Sequence, residues 1–329
     1  MEPPGHCAGR FVLRRKGAPL LELLQIFFDN IAPILVISAG GFLLGRWKGV
    51  DPRTLGRVIF YIFSPSLVFD SLSKTDVDAA ELTQIALVML LFVGIMTLLA
   101  YGVARWRGDD RLSRAGLMLS AICPNNGNFG LPLIGFAFNN DVLARAVVVY
   151  VVVTFLNYSM GIFVASTGKK PARQAVKSIL QVPMIYAAMA GLLVNSLDIP
   201  LAPVVQRSFS LAAQGSIPAM LVLLGLQLAQ VTSVTHVRLA SVGAGLRLLV
   251  SPLVALALIA LLGVQGPASI AVIMQASMPV AIVTIIFATE FGLDDKFMSS
   301  AILTSTLLSP LTLTILILLL RRATPFGLP

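Results

Sequence analysis

The sequence predicts an all-α polytopic membrane protein with ten transmembrane helices, arranged as two inverted five-helix repeats with broken, crossing helices 4 and 9. Three observations lead to this prediction. The composition is that of an integral membrane protein, and the apolar residues fall into ten runs of membrane-spanning length. Prolines also recur at matched places in the two halves of the chain.

The composition places the chain in a lipid bilayer. Apolar residues make up 57% of it, charged residues only 12%, and the mean hydropathy is +0.90. These values lie outside the usual range of soluble globular proteins. One crossing needs about 20 apolar residues, so the 329 residues leave no room for a sizeable soluble domain beside the apolar runs.

Ten apolar runs are long enough to be membrane segments, and we number them in chain order as segments 1 to 10. Their predicted bounds are Leu23–Leu44, Leu55–Leu72, Ile85–Val103, Ala115–Phe138, Ala144–Ala165, Ile179–Leu197, Leu211–Ala229, Leu239–Val264, Ser269–Phe291 and Phe297–Leu320. The run Leu201–Ser210 is predicted to be a separate interfacial helix before segment 7.

Basic residues predict the orientation of these segments. Of the Lys and Arg residues in the loops, fourteen follow odd-numbered segments and three follow even-numbered ones. Because basic loops stay on the cytoplasmic side, we expect a cell-membrane protein with both termini outside. Arg14, Arg15 and Lys16 in the N-terminal tail favour the opposite orientation, but the loop residues outnumber them.

Prolines mark the internal repeat. They recur at offsets of 150, 153 and 155 residues, in the pairs Pro33 and Pro183, Pro65 and Pro218, and Pro124 and Pro279. Each half holds five segments, an odd number, so the second half must enter the membrane in the opposite direction. This is the inverted-repeat design of secondary transporters.

The repeat divides the chain into five parts. Two five-helix repeats, 23–166 and 179–320, are joined by a short basic linker, 167–178, which is predicted to be cytoplasmic. A disordered N-terminal tail, 1–22, and a C-terminal tail, 321–329, are expected to flank them.

Segment 4 contains residues that a lipid-facing helix does not tolerate. Within Ser120–Leu133 a proline removes a backbone donor, glycines favour unwinding and asparagines add polar groups. A broken helix exposes the N-terminal end of its second half, whose N–H groups and partial positive charge suit an anion. We therefore predict a substrate site at mid-membrane, which includes Pro124, Asn125, Asn126, Gly127 and Asn128.

Segment 9 is predicted to be broken in the same way. Pro279 matches Pro124 in the repeat, and Gln275 and Ser277 precede it. The two breaks would cross and bring two positive helix ends to one site, which adds Gln275 and Pro279 to the substrate-binding residues. The alternative is a pair of ordinary kinked helices, since proline is common in membrane spans.

The asparagines have two compatible roles, substrate binding and helix capping. We assign Asn125 to the substrate, and Asn126 and Asn128 to capping as well as to the site. Asn157, inside segment 5, must find a partner within the membrane. It either faces the substrate site or makes a helix–helix hydrogen bond.

Ionisable residues inside membrane segments are functional candidates. Arg247 in segment 8 either pairs with an acid, attracts the anion or snorkels to the cytoplasmic end. Asp29, Asp70 and Glu290 lie near segment ends, where an interfacial or loop position is expected.

Several function classes lack the residues that they need. The net charge of +9 comes from basic residues between apolar spans, without the basic face of a nucleic-acid-binding protein. Two cysteines and two histidines provide neither a disulfide framework nor a metal cluster, and no cofactor is predicted. The signatures of intramembrane enzymes, such as paired aspartates, HExxH or a serine with a basic partner, do not occur inside the predicted membrane segments, so we do not expect an enzyme.

These motifs resemble those of the auxin efflux carrier family, which includes plant auxin exporters and bacterial relatives described as malate or malonate transporters. The stretch PNNGNFGLPL at 124–133 fits the family pattern of Pro-Asn, four variable residues and Gly-x-Pro-Leu. Gln275, Pro279 and Glu290 are placed as in the family's ninth helix. The resemblance covers 23–320, nearly the whole chain.

The resemblance implies a scaffold domain and a transport domain, a homodimer, and movement of organic anions by elevator-like alternating access. It also implies that Pro124, Asn125 and Pro279 hold the substrate carboxylate. The chain differs from the plant members in its short central linker and in Val68, which replaces a serine of segment 2. A small carboxylate is therefore the expected substrate rather than auxin.

We therefore predict a secondary transporter of small organic anions whose other partners are membrane lipids and a second copy of the chain. A sodium-coupled symporter of related fold and a passive channel are the alternatives. Unwound carbonyls and the polar groups of Asn125, Asn128, Gln275 and Ser277 are also suitable ligands for Na⁺.

Overall fold

The computed structural model describes residues 19–75, 77–165, 180–231 and 235–323. These residues form helices with short connections, and no strand occurs among them. The predicted linker and most of the two predicted tails lie outside the described residues. The segment numbers used above are kept for the observed helices.

Seven helices are long and apolar enough to cross a membrane. They correspond to segments 1, 2, 3, 5, 7, 8 and 10 and span Leu20–Lys48, Pro52–Leu72, Ala79–Trp106, Asn140–Val164, Pro203–Ala229, Val237–Leu262 and Asp295–Arg322. The chain is thus a multi-span membrane protein, as its composition predicts.

Shorter helices form the other three segments. Segment 6 is the helix Pro183–Ser196. Segment 4 consists of two pieces, 4a at Arg111–Ile122 and 4b at 126–137, which starts with a π-helical turn. Segment 9 also consists of two pieces, 9a at Gly266–Ala276 and 9b at Val283–Phe291.

Segment 7 starts earlier than predicted. The run Leu201–Ser210 is not a separate interfacial helix, because a single helix extends over Pro203–Ala229. Proline is tolerated at the first position of a helix, where its missing N–H is not needed. No glycine or proline follows until Gly215, so nothing ends the helix where the apolar run begins.

Side-chain caps fix where several helices begin. The Asp78 carboxylate accepts a hydrogen bond from the Glu81 N–H (2.6 Å) at the start of segment 3. The Asp110 carboxylate accepts one from the Ser113 N–H (3.2 Å) at the start of 4a. Segment 8 ends at Gly263 with φ 65°, a conformation that suits glycine. Ordinary capping residues thus fix the starts of segments 3 and 4a and the end of segment 8.

The segments pack into two groups. The scaffold group contains segments 1, 2, 6 and 7, in which segment 1 packs along segment 7 and segment 2 along segment 6. The core group contains segments 3, 4, 5, 8, 9 and 10, in which segment 3 packs on 4a, 9a on segment 5, and segment 8 on segment 10. The groups meet where 4b lies against segments 1 and 7, where segment 2 packs on segment 5, and where segment 1 packs on segment 10.

Glycines let segments 1 and 7 approach each other closely. A Cβ atom on Gly225 would collide with the carbonyl oxygen of Ser38, and one on Gly41 would collide with that of Val222. Small residues are the usual means by which membrane helices bring their backbones together. The tightest helix pair of the scaffold group therefore depends on the absence of side chains.

Large apolar side chains lie on the outside of the molecule. Trp47, Leu98 and Leu261 are 75%, 71% and 78% exposed. A soluble monomer rarely exposes large contiguous apolar patches, whereas a lipid-facing surface requires apolar side chains. The exposed surface agrees with a position in the bilayer.

Candidate substrate site at the helix crossing

Segments 4 and 9 cross where neither is helical. Asn125 donates its backbone N–H to the carbonyl oxygen of Pro279 (2.8 Å). Ala281 donates its N–H to the carbonyl oxygen of Cys123 (2.8 Å). Buried backbone groups need partners, and here each segment supplies them to the other. These two bonds between the segments replace some of the backbone hydrogen bonds that each helix lacks at its interruption.

The two prolines explain why the helices stop at this place. Pro124 and Pro279 have no N–H to donate, and a proline inside a helix clashes with the carbonyl group four residues before it. Pro124 instead pairs with Val280 in an isolated antiparallel bridge. Segment 4b then begins with a π-helical turn, in which the Gly130 N–H bonds to the carbonyl oxygen of Asn125 (3.0 Å).

Segment 10 supports the crossing through a serine. Ser305 is fully buried and accepts a hydrogen bond from the Val280 N–H (3.0 Å). Its own hydroxyl donates to the carbonyl oxygen of Ile302 (3.1 Å). Sequence reasoning missed this residue, because segment 10 carries several Ser and Thr residues and no local signal distinguishes one of them.

Arg247 of segment 8 holds the ends of 4a and 9a together. Its guanidinium is fully buried and donates to the carbonyl oxygens of Ala121 (2.6 Å), Met278 (2.9 Å) and Ala276. The last carbonyl groups of a helix have no partner within the helix, so the arginine serves as a shared cap. The Phe92 ring centroid lies 5.6 Å from the guanidinium carbon.

This geometry excludes two of the three alternatives that the sequence left open for Arg247. The side chain does not snorkel, because 4a and segment 10 pack on the turn that carries it and Phe92 of segment 3 lies against its guanidinium. It does not pair with an acid either, since its hydrogen-bond partners in the described part of the chain are backbone carbonyl groups. Arg247 is thus part of the crossing, although the sequence indicated only that it is an ionisable residue inside a membrane segment.

The three asparagines of segment 4 have different surroundings. Asn125 is 6% exposed, and its bond to Pro279 uses the backbone N–H rather than the side-chain amide. Asn126 is buried, and neither atom of its amide has a partner among them. Asn128 is half-buried and donates from Nδ2 to Oε1 of Gln227 in segment 7 (3.3 Å).

The predicted capping by Asn126 and Asn128 is not observed. Both residues lie inside the π-helical turn Asn126–Gly130, whose N-cap position is Asn125, and no side chain caps this turn. A residue within a turn is past the position from which a side chain reaches back to the first N–H groups. The side-chain amides of these two asparagines therefore do not cap the start of 4b.

Gln275 connects 9a to segment 5 and lies against 4b. Its Nε2 donates to the carbonyl oxygen of Ala146 in segment 5 (3.1 Å). Its Oε1 has no partner within the described residues and lies against Gly130, where a Cβ atom would collide with it. Gly130 is needed here for close approach, not for an unusual backbone conformation.

Segment 5 flanks the crossing. The ring of Tyr150 lies over Gly127, 3.0 Å from where a Cβ atom of that glycine would be. Asn157 is 8% exposed and begins the π-helical turn Asn157–Gly161, which packs against 4a. Its Oδ1 is buried and finds no partner among the described residues, so this atom does not make the helix–helix hydrogen bond considered from the sequence.

The structure brings most of the predicted site residues together. Residues 124–128 lie on one side of the crossing and Gln275 and Pro279 on the other, while Asn157 lies on the adjoining segment 5. All except Asn128 are buried.

Two further polar residues were missed, Ser251 at the crossing and Gln227 of segment 7 beside it. Ser251 lies one turn after Arg247 and donates its hydroxyl to the carbonyl oxygen of Ala276 (2.6 Å). Gln227 receives the amide of Asn128. An amide inside an apolar span is a signal that could have found Gln227. Serine often bonds within its own helix, so Ser251 gave no signal.

Acidic residues of the membrane segments lie away from the crossing. Asp70 pairs with Lys74 (2.5 Å) at the end of segment 2, while Asp29 and Glu290 are exposed. A cavity of about 270 Å³ beside the Asp70 pair is lined by the ends of segments 2, 6 and 7. No residue of the crossing lines it.

Comparison with known families gives one match. The profile of a family described as "Membrane transport protein" matches residues 26–175 and again residues 168–317. Together the two matches span nearly all of the ten predicted segments, including both interrupted ones.

Two archaeal proteins are similar along almost their whole length. An uncharacterized transporter of Methanothermobacter thermautotrophicus is 28% identical over 289 residues, which cover 87% of this chain and 95% of the relative. An uncharacterized transporter of Methanocaldococcus jannaschii is 24% identical over 305 residues, covering 88% and 98%. Neither name states a substrate.

Proposed function

This chain belongs to the family of membrane transport proteins, the auxin efflux carriers that its motifs resemble, and we propose that it is a secondary transporter of small organic anions. A carboxylate binds at the crossing of segments 4 and 9. Elevator-type alternating access then carries it across the membrane.

Helix ends supply the positive charge for this anion. The pieces 4b and 9b begin next to the crossing, at Asn126 and Val283. The first N–H groups of each helix have no partner within it, and each N-terminus carries a partial charge of about +0.5. Pro124 and Val280 pair just before the starts of 4b and 9b. The N-termini of these two helices are therefore close together, and their combined positive charge favours an anion over a neutral solute.

Unpartnered amides supply directional hydrogen bonds. The amide of Asn126, Oε1 of Gln275 and Oδ1 of Asn157 are buried without partners among the described residues. An unpaired buried polar group costs about 1–3 kcal/mol, so such groups are retained where a ligand or water pairs with them. Asn125 and Asn126 have N–H donors for a carboxylate, and the amide oxygens accept from a hydroxyl group or bound water.

The two packing groups support an elevator-type movement. All the residues of the crossing belong to the core group, and 4b faces segments 1 and 7 of the scaffold group. Polar contacts between the groups include the bond from Asn128 to Gln227 and, at the end of segment 10, the ion pair of Arg322 and Glu22 (2.5 Å). Exposed ion pairs contribute little stability, so the pair of Arg322 and Glu22 holds the two groups together only weakly.

The packing also supports ten spans in two inverted repeats. If each segment of one half is replaced by the segment at the same position in the other half, the same pairs of segments are again in contact. Segment 1 on segment 7 corresponds to segment 6 on segment 2, and segment 3 on 4a corresponds to segment 8 on 9a. The double match of the family profile agrees with such a repeat. We propose 23–166 and 179–320 as the two repeats.

The remaining features of the proposal rest on the sequence and on the family resemblance. The excess of basic residues in the odd-numbered loops supports a cytoplasmic position for those loops and a cell-membrane protein with both termini outside. The homodimer rests on the resemblance alone. In the dimer the scaffold groups would form the fixed part.

The single observation that carries the proposal is the pair of backbone bonds joining Asn125 to Pro279 and Ala281 to Cys123, because they bring both positive helix ends together. The test is flux into proteoliposomes that hold purified protein. Benzoate, malonate and indole-3-acetate are the anions, benzamide is the neutral control, and sodium and pH gradients are applied one at a time. Relative to liposomes without protein, we expect additional, saturable flux of at least one carboxylate and no additional flux of benzamide.

Other results of the same assay would support the alternatives. Flux of sodium with the anion, lost without a sodium gradient, would favour the symporter. Flux that does not saturate would favour the channel. Flux of benzamide but of no anion would contradict the assignment of an anion site.

A further inference from the structure

Arg247 carries a full positive charge at a place where two helix ends are negative. Its guanidinium bonds to carbonyl groups at the C-terminal ends of both 4a and 9a, through Ala121, Ala276 and Met278. Each helix C-terminus carries a partial charge of about −0.5. The two ends together amount to about one negative charge, which the arginine cancels.

The cancellation changes the net charge of the crossing. Four helix ends meet there, two positive and two negative, so without a further charge their fields would oppose each other. With Arg247 in place, the negative ends are neutralised and the positive ends of 4b and 9b are left uncompensated. The crossing then has a net partial charge of about +1, which matches a single carboxylate.

The arginine also uses the ligands that a coupling cation would need. In transporters with broken helices, unwound backbone carbonyls and the C-terminal ends of half-helices coordinate Na⁺ or H⁺. Here Arg247, together with the hydroxyl of Ser251, hydrogen-bonds to these carbonyl groups. Arg247 is fully buried, so exchange with a solvent cation would require the crossing to open.

We infer that Arg247 is a positioning residue that acts as a built-in cation. It fixes the two C-terminal helix ends, sets the charge of the crossing for one carboxylate and makes anion binding independent of Na⁺. This inference rests on the proposed function. It goes beyond that function, because a carrier could bind the same anion with Na⁺ as the neighbouring cation. Here Arg247 takes the place of that Na⁺.

The test measures binding of benzoate, malonate and indole-3-acetate to purified protein in nanodiscs, in sodium chloride and in choline chloride. For the wild-type chain we expect equal affinity in both salts. Arg247→Gln removes the charge but keeps an amide donor, and its affinity for the carboxylates should fall about tenfold. Arg247→Lys keeps the charge without the planar fork and should recover part of that loss.

A second readout separates charge from simple packing. In Arg247→Gln the freed carbonyl groups become available to a cation, so sodium should raise its melting temperature and its anion affinity relative to choline. The matched control is Arg145→Gln in segment 5, because Arg145 is paired with Glu81 (2.8 Å) away from the crossing. This variant should lose stability, without a change in anion affinity or in the effect of sodium.

The outcomes separate this inference from the proposed function. If the wild-type chain binds none of the three carboxylates and transports none, the proposed function is wrong. If it binds a carboxylate but only in sodium, the anion site stands and the role of Arg247 is refuted. Equal affinities of wild-type and Arg247→Gln would refute that role as well. Should the Gln variant not fold, the salt comparison on the wild-type and Lys chains still decides.

Discussion

The backbone N–H of Asn125 lies 2.8 Å from the carbonyl oxygen of Pro279, and this hydrogen bond joins the two halves of the chain at their interrupted helices. It uses only main-chain atoms. The side-chain amide of Asn125 is thus not committed to holding the crossing, although the residue itself is buried.

Replacing Asn125 with Ala should therefore weaken substrate binding and leave the fold intact. The main-chain bond to Pro279 remains, whereas one donor to the carboxylate is lost, which is worth about 1.5–3 kcal/mol or at least tenfold in affinity. Flux kinetics and melting temperature are the measurements. Asn195→Ala is the control, since Asn195 bonds to Ser73 within the scaffold group (3.3 Å) and should affect stability only. An unchanged apparent affinity in Asn125→Ala would remove this residue from the site.

Replacing Pro124 or Pro279 with Ala should abolish transport. Alanine restores an N–H and favours helix by about 3 kcal/mol over proline, so the interrupted segments would re-form continuous helices and separate the two positive ends. Pro310→Ala is the matched control, because Pro310 already lies inside an unbroken helix. Flux per amount of reconstituted protein is compared for the three variants. Full activity in both Pro124→Ala and Pro279→Ala would refute the need for a break.

Tying Asn128 to Gln227 should stop transport if the core group moves against the scaffold group. Their side chains are 3.3 Å apart and belong to different groups. We expect flux through an Asn128→Cys, Gln227→Cys double variant to fall when a short bifunctional thiol-reactive cross-linker, such as a bis-methanethiosulfonate, is added, and the single variants to be unaffected by it. Undiminished flux after complete cross-linking, measured on gels, would contradict a relative movement at this contact.

Replacing Gly225 with Ala should destabilise the scaffold group. The added Cβ would collide with the Ser38 carbonyl oxygen, and overpacking of this kind costs about 1–3 kcal/mol. Gly102→Ala in segment 3 is the matched control, because nothing lies within 4 Å of its Cβ position. That variant should be as stable as wild type or about 0.5–1 kcal/mol more stable. Melting temperatures in detergent provide the comparison, and equal values for the two variants would contradict the close approach.

Asp110 gives a prediction about pH. Hydrogen bonds from Ser113, which this N-cap receives at the start of 4a, hold the pKa of its carboxyl below the ordinary value of 3.8. A depressed pKa means that the stabilisation is present above pH 3.8 and is lost as the pH falls through the lower folded-state pKa. Asp110→Ala should thus lower stability by about 1 kcal/mol at neutral pH, and the gap to wild type should close in acid.

Asp110→Asn separates capping from charge. Asparagine is as good an N-cap as aspartate but does not titrate, so this variant should stay near wild type at neutral pH and lack the acid-dependent loss. Melting temperatures measured across the acid range test both variants. A gap between wild type and Asp110→Ala that does not change with pH would contradict the assignment.

Most of the membrane segments and the location of the candidate site could be predicted from the sequence. Hydrophobic runs determine membrane segments because lipid selects for apolar length, independently of what each segment packs against. Pro124 and Pro279 mark the interruptions because the missing N–H is a property of the residue itself. The start of segment 7 was wrong, since the helix begins at Pro203, before the apolar run does.

The partners of polar side chains could not be predicted in the same way. Arg247, Ser305 and Gln227 each contact a residue far away in the sequence, and composition and spacing say nothing about which distant group will be near. The predicted capping by Asn126 and Asn128 failed for a related reason. The π-helical turn that places them inside the helix depends on the packing around it.

The sequence alone thus determined that this chain spans a membrane, where its helices are interrupted and which family it resembles, because these properties reside in single residues and local runs. Only the tertiary structure decided that the two interruptions bond to each other, that Arg247 closes both negative helix ends, and that the segments divide into two packing groups. Each of these depends on contacts between residues far apart in the chain, and such contacts exist only once the helices have packed.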